Sequence, residues 1–277
     1  MVEVNSSARL QRFQAVSRLL VQLLRHKAWL VRNKTLTDSS RQIRHLAGEI
    51  ERKSYVVIPD YLSREACREL CLSIDRLLEK HAELVQVDAV GSDHRLFGSE
   101  HGGPTIARFH DDQFAKAVGE TYLDHPLVCF TTLAARLNAG DGNHGSGQGW
   151  HRDALYVQYK AMIYLSDVDA QHGPFQILEG SHRMFSKLRD AWVGGLEPFN
   201  TRLKDTQVEA LTTLSPLRLK TITAEAGAMI LVDTSAVHRG MPIQDGVRYA
   251  LTNYYYRPSE IVGRVENFPP KLSAKLS

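Results

Sequence analysis

This chain is poor in the features that mark secreted, membrane-spanning or repetitive proteins. Only three of its 277 residues are cysteine (Cys67, Cys71 and Cys129), too few for a disulfide framework. A reducing compartment, the cytoplasm, is therefore expected over secretion. Cys67 and Cys71 stand one helical turn apart, and with no further Cys/His pair beside them they read as idle thiols rather than metal ligands. No run approaches the ~20 apolar residues needed to span a bilayer, and there is no internal repeat or low-complexity segment. The net charge of +3 is too small to imply nucleic acid. Acidic residues are absent from one stretch: Val4 to Thr37 holds seven basic side chains and no acid, while the rest carries 27 basic against 31 acidic residues.

That basic stretch reads as an amphipathic helix over residues 7–31, with Leu10, Phe13, Leu20, Leu24 and Val31 at helical spacing. Three roles compete: packing on the main domain or a second subunit, peripheral contact with an anionic membrane, and an organelle-targeting presequence. The expected organisation is a basic helical extension over residues 1–50 and one domain over 51–277. From Tyr55 the pattern gives a short strand, a Pro-Asp turn and a helix capped by Ser63. Residues 82–109 read as loops and short strands, and 111–126 as a short helix ended before Pro126.

From Leu127 onward the runs LYVQYKAMIYLSDVD, PFQILE, LRLKTITA, GAMILVD and VRYALTNYYYR are rich in β-branched and aromatic residues between polar breaks. Regularly spaced strands without alternating helices predict a mainly β fold with flanking helices, a double-stranded β-helix of jelly-roll or cupin type.

Four residues carry the chemistry. His151 and Asp153, two apart, project from one face if the segment is an extended strand. With His238 brought beside them, two imidazoles and a carboxylate would cover one face of an octahedral ion and leave the other open, the arrangement of non-haem Fe(II) oxygenases. Arg248, farther on, suits a bidentate pair with the far carboxylate of a 2-oxoacid. His110 and Asp112 repeat the His-x-Asp spacing, but at a helix start, where Asp111 and Asp112 serve as cap and dipole partners. His-Arg-Asp also occurs in protein kinases, yet no glycine-rich loop or Asp-Phe-Gly accompanies it.

The segment GQGWHRDALYVQYKAMIYLSDVDAQHGPFQILEGSHR, with GAMILVDTSAVHRGMPIQDGVRYALTNYYYRP downstream, resembles the phytanoyl-CoA dioxygenase family of Fe(II)/2-oxoglutarate oxygenases. The resemblance implies that His151, Asp153 and His238 bind iron and that Arg248 holds 2-oxoglutarate. It also implies hydroxylation of a small or carrier-linked organic substrate, with 2-oxoglutarate leaving as succinate and CO2 and ascorbate helping to keep iron reduced. Halogenating relatives replace the metal carboxylate by a small residue; Asp153 fills that place, which favours C–H oxidation.

Several positions depart from the family pattern. His172 and Glu179 stand where asparagine and proline are common, predicting altered turns, and Ile163 or Tyr164 replaces a frequent tryptophan. Ala250 replaces a serine, for which Thr252, on the face of Arg248, offers a hydroxyl. Arg152, Tyr156, Gln158, Arg239 and Tyr254 flank the expected pocket, structural strand roles being the simpler reading, and Lys160 is expected to lie too far from the metal to act there. Two other readings stand beside the oxygenase: a non-catalytic ligand-binding jelly roll, and a non-oxidative cupin-type isomerase or hydrolase, which has no use for Arg248.

Overall fold

Strand alternation organises the structure, a computed structural model in which residues 6–32, 40–193, 196–197, 199–214, 218–261 and 271–273 are described. β1 (Tyr55–Ile58), β2 (Gln86–Val87), β3 (Asp93–Phe97), β4 (Val128–Asn138), β5 (Tyr159–Tyr164), β8 (Met229–Asp233) and β10 (Val247–Tyr256) form one antiparallel sheet in the order β1-β8-β5-β10-β4-β3-β2. β6 (Phe175–Leu178), β7 (Leu219–Ile222) and β9 (His238–Gly240) form a second, in the order β7-β6-β9. The helices are α1 (Ser6–Arg32), α2 (Arg41–Lys53), α3 (Arg64–Lys80), α4 (Pro104–His110), α5 (Gln113–Leu123), α6 (Met184–Val193), α7 (Asp205–Leu214) and α8 (Pro258–Ile261).

Each central strand of the large sheet serves two environments. Ala161 and Ile163 of β5, Met229 and Leu231 of β8 and Leu251 of β10 join Ile50, Leu70, Ile74, Ala115 and Val118 in the core beneath α2, α3 and α5. The alternate residues turn the other way: Tyr164, Ile230 and Val232 pack on Phe175, Ile177 and Ile222 of the small sheet. Burying each such side chain contributes about 1.5–3 kcal/mol. Two facing sheets with helices on the outer side are the expected double-stranded β-helix, and the register fixes which residues face the space between them.

The predicted strand runs are present with trimmed ends, and Ser63 and Asp112 cap α3 and α5 by accepting from the Ala66 and Ala115 N–H groups. Three expectations change. α4 lies where loops and short strands were expected, and Pro104 opens it, where a missing N–H costs nothing. Asp111 closes α4 instead of starting the next helix. On α1 the apolar residues singled out from spacing are not the packed ones: Leu10, Phe13 and Leu24 are 59%, 59% and 47% exposed. Leu19 and Leu23 on another stripe pack against Ala191 and Leu188 of α6. Val31 lies outside the described side chains. The helix carries two apolar stripes, and only one is covered.

Beside the two sheets sits a buried ionic network. Asp190, fully buried, takes Arg218, Arg189 and, at 3.8 Å, Arg152, while Lys187 donates to Leu155 O at 2.8 Å and Ser235 Oγ at 3.1 Å. Burial, followed by the charge of Arg152, lowers the Lys187 pKa from its ordinary 10.5 to about 7. Between these values the unfolded chain holds a proton that the folded one sheds, so stability rises with pH across that window and is flat on either side. Lys187→Met is expected to stabilise the fold by about 1 kcal/mol or more at pH 7. In urea titrations that advantage should shrink steadily from pH 7 towards pH 10; a gap independent of pH contradicts the assignment.

Candidate metal centre

The segment that carries His151 and Asp153 is too short of partners to be a sheet strand. It is extended, but stitched between two other stretches by a few backbone hydrogen bonds. His151 N–H donates to His238 O at 2.9 Å and His238 N–H to His151 O at 2.8 Å; Arg152 and Asp153 N–H groups donate to Thr201 O and Thr234 O. The expectation of a strand is therefore corrected to an isolated bridge, although the two side chains still emerge on one side. The Arg152 guanidinium turns the other way, to Ser181 O and Ser235 O, and ties the segment down from behind.

The reciprocal bridge brings the three polar tips together. One ligand atom from each of His151, Asp153 and His238 lies within 4.8 Å of the others, and among the described residues no other group of three or more His, Cys, Asp or Glu does so. His151 Nε2 is 3.6 Å from Asp153 Oδ1 and His238 Nε2 3.8 Å from Asp153 Oδ2. Both imidazoles are oriented alike, with Nδ1 at 2.9 Å from the carbonyl two residues earlier, Gly149 O and Ala236 O. A carbonyl only accepts, so each Nδ1 carries the proton and each Nε2 presents a lone pair. Burial, then the neighbouring His151, pulls the His238 pKa to about 3 and keeps that ring neutral. Burial works to raise the Asp153 pKa, but Lys160 and the two imidazoles outweigh it and hold the carboxyl well below its usual range. Two neutral nitrogens and one carboxylate are the donor set that a borderline divalent ion takes, so these residues fit an iron ion.

The Gly-rich loop before Trp150 permits this close packing. Gly147 has φ +87°, and a Cβ there would lie 2.2 Å from His151 Cε1. Ser146 beside it accepts a hydrogen bond from Arg95 at 2.9 Å.

The triad opens into a pocket of about 660 Å³, its mouth included, walled by both sheets. β10 contributes Arg248, Thr252 and Tyr254, all on one face as period two requires. Arg248 is 5% exposed, its Nε is buried without a partner, and no described carboxylate pairs with it. A buried guanidinium in that state has unmet hydrogen-bonding capacity, which an anion would satisfy. Of the two residues near the place of the missing tryptophan, Ile163 is packed in the core beneath the helices and Tyr164 is fully buried between the sheets, accepting from Phe175 N–H at 2.8 Å; neither lines the pocket.

Sequence reasoning placed other residues less well. Lys160, expected to be remote, sits in the pocket wall with Nζ 2.7 Å from Asp153 Oδ2. Its strand is not continuous with the metal segment, and the chain between turns back. Arg95 of β3 also lines the pocket, paired with Asp93 at 2.5 Å; a lone arginine in a short strand gave no signal. Gln158 donates to Tyr255 O, Tyr156 stacks on His26 of α1, and Arg239 lies over Trp150 and binds Gln176. Of the flanking group only Tyr254 lines the pocket. His110 faces Thr132 and Cys129, so the second His-x-Asp is no metal site, and Cys67 is packed in the core. The His172 turn is closed by Asp169, which accepts from the His172 ring at 2.7 Å.

Gly147→Ala is expected to push the His151 ring off its carbonyl partner. Calorimetric titration with a divalent metal should show affinity lowered by about 10–100-fold in a protein of unchanged circular dichroism. Unchanged affinity would mean that the loop does not hold the ring.

Three comparisons place this geometry. SnoN, a non-heme alpha-ketoglutarate-dependent epimerase from nogalamycin biosynthesis, superposes with a TM-score of 0.58 at 19% identity, over 84% of this chain and 91% of that one. EctD from S. alaskensis with bound Fe gives 0.61 at 17% identity, over 82% of each chain. HygX from Streptomyces hygroscopicus with nickel and 2-oxoglutarate gives 0.56 at 14% identity, over 80% and 88%. At such identities these likenesses speak to the fold. No curated protein matches the chain in sequence. The sequence profile of the phytanoyl-CoA dioxygenase family matches residues 50–246, which takes in the whole His-Asp-His cluster and stops just short of Arg248. By that match the chain belongs to the phytanoyl-CoA dioxygenase family.

Proposed function

We propose that this protein is an Fe(II)/2-oxoglutarate-dependent oxygenase that hydroxylates a C–H bond of a small or carrier-linked organic substrate. His151, Asp153 and His238 hold the iron, Arg248 pairs with the distal carboxylate of 2-oxoglutarate, and the Thr252 hydroxyl assists it from the same strand face. Bound there, ferrous iron with 2-oxoglutarate supplies the dioxygen chemistry that yields succinate, CO2 and an oxidised substrate. The chain's own part is orientation and exclusion of water. The two Nδ1–H bonds fix the rings, Phe175 closes one side of His238 at 5.3 Å between ring centroids, and the sheet walls shield the reacting centre.

The observation that carries this reading is the buried guanidinium of Arg248, with which no described carboxylate pairs, in the same pocket as three metal-competent side chains. A non-oxidative cupin-type enzyme has no use for that cation. SnoN and SnoK, an epimerase and a carbocyclase, share the fold without being hydroxylases by name; Asp153, filling the carboxylate position, favours hydroxylation or another C–H oxidation over halogenation. Anaerobic addition of 2-oxoglutarate to the Fe(II)-loaded protein is expected to produce a visible metal-to-ligand charge-transfer band. Arg248→Ala should weaken 2-oxoglutarate binding by about 2–5 kcal/mol, thirty-fold or more, with iron still bound. A metal-loaded protein with no band sinks the proposal.

The exposed stripe of α1 supports a second element of the proposal, peripheral contact with an anionic membrane. Leu10, Phe13, Val21 and Leu24 are exposed, Phe13 meets Trp192 of α6 edge-on, and Phe185 shares the Trp192 face by helical spacing. Arg18, Arg25 and Lys27 flank the stripe, a charge pattern that repels a second copy of itself and suits acidic headgroups. No described helix is long and apolar enough to cross a bilayer. Phe13→Asp with Leu24→Asp should abolish cosedimentation with phosphatidylserine vesicles; equal binding by both proteins rules the contact out.

A further inference from the structure

Among the described residues, Lys160 is the one charged group of the pocket left unanswered once the proposed site is loaded. It points inward from the start of β5, between Val232 and Tyr254 on the neighbouring strands, and is 7% exposed. Its Nζ lies 2.7 Å from Asp153 Oδ2 and 3.9 Å from the centre of the Tyr254 ring. The pocket wall otherwise holds Arg95, Arg248 and Asp153 as its charged groups besides the imidazoles.

The charges can be counted pair by pair. Arg95 is neutralised by Asp93 at 2.5 Å. Ferrous iron, the Asp153 carboxylate, doubly negative 2-oxoglutarate and Arg248 together carry no net charge. Iron therefore claims the carboxylate that otherwise balances Lys160, and one ammonium remains at the wall of a low-dielectric site. An uncompensated buried cation is costly, and a ligand anion that meets it gains what the protein has left unmade.

We infer that Lys160 is the receptor for an anionic group on the organic substrate, so that the substrate class is an organic acid, a carboxylate or a phosphate or sulfate ester. This rests on the oxygenase reading above. The Nζ beside Asp153 places the bound acid near the metal ligands. Neutral analogues of the substrate, amides or methyl esters, leave the ammonium unpaired and are rejected.

The test uses the full chain loaded anaerobically with Fe(II) and saturating 2-oxoglutarate, its charge-transfer band serving as the check on the site. Acetate, inorganic phosphate and, as the neutral probe, acetamide are titrated at fixed ionic strength by calorimetry and by perturbation of the band. The wild type should bind an anion and not acetamide. Lys160→Gln should keep the band and lose anion affinity by about tenfold or more, while Lys160→Arg keeps most of it. Undiminished anion binding by Lys160→Gln, or no anion binding by the wild type, overturns the assignment. Loss of the band in Lys160→Gln and its return in Lys160→Arg also overturns it, because Lys160 then only holds Asp153 for the metal. Absence of the band from the wild type removes the oxygenase reading itself, and the substrate assignment with it.

Discussion

Two backbone hydrogen bonds, exchanged between His151 and His238 at 2.9 and 2.8 Å, hold the site together. They join segments that are remote in sequence and bring both imidazoles to the carboxylate of Asp153. Because each bond is made by the residue that also carries a ligand, any slip of the pairing moves a nitrogen off the cluster. The surrounding structure is arranged to prevent that slip: Arg152 binds Ser181 O and Ser235 O from behind, and Lys187 binds Leu155 O and Ser235 Oγ. Buried cations are an expensive way to fix a loop, and Asp190 offsets part of that cost.

The same logic governs the pocket. Its anions are fewer than its cations, and each cation is treated differently. Arg95 has a carboxylate of its own, Arg248 has none among the described residues, and Lys160 shares Asp153 with the two imidazoles. A protein interior tolerates this imbalance only where ligands complete it. The proposed ligands would complete it: a divalent cation, a dicarboxylate and a further anion. The fold neighbours differ in reaction, an epimerase and a carbocyclase among them. What separates members of this architecture is the lining, not the sheets.

The strands and the members of the His-Asp-His cluster were legible in the sequence because their signals are local or ordered. Alternation in VRYALTNYYYR places Arg248 and Thr252 on one face, and both line the pocket. Ser63 and Asp112 announce their helices by the hydrogen bond that each side chain makes. Lys160 shows where such reasoning stops. Counting alternation from Asp153 assumes one continuous strand, whereas the chain bends between Asp153 and β5 and returns the ammonium to the carboxylate. On α1, spacing identified an apolar stripe, but two stripes share that helix, and only contact with Ala191 and Leu188 decides which one is buried.

By itself, then, the order of residues determined the β-rich architecture, the His-Asp-His donors and the arginine beyond them, since period-two alternation and donor chemistry are properties of short segments. The tertiary structure alone decided the protonated nitrogen of each imidazole, the absence of a carboxylate partner for Arg248 among the described residues, and the place of Lys160. Those depend on which carbonyl, carboxylate or ring lies within a few ångströms, and such neighbours come from strands that only the closed pair of sheets brings together.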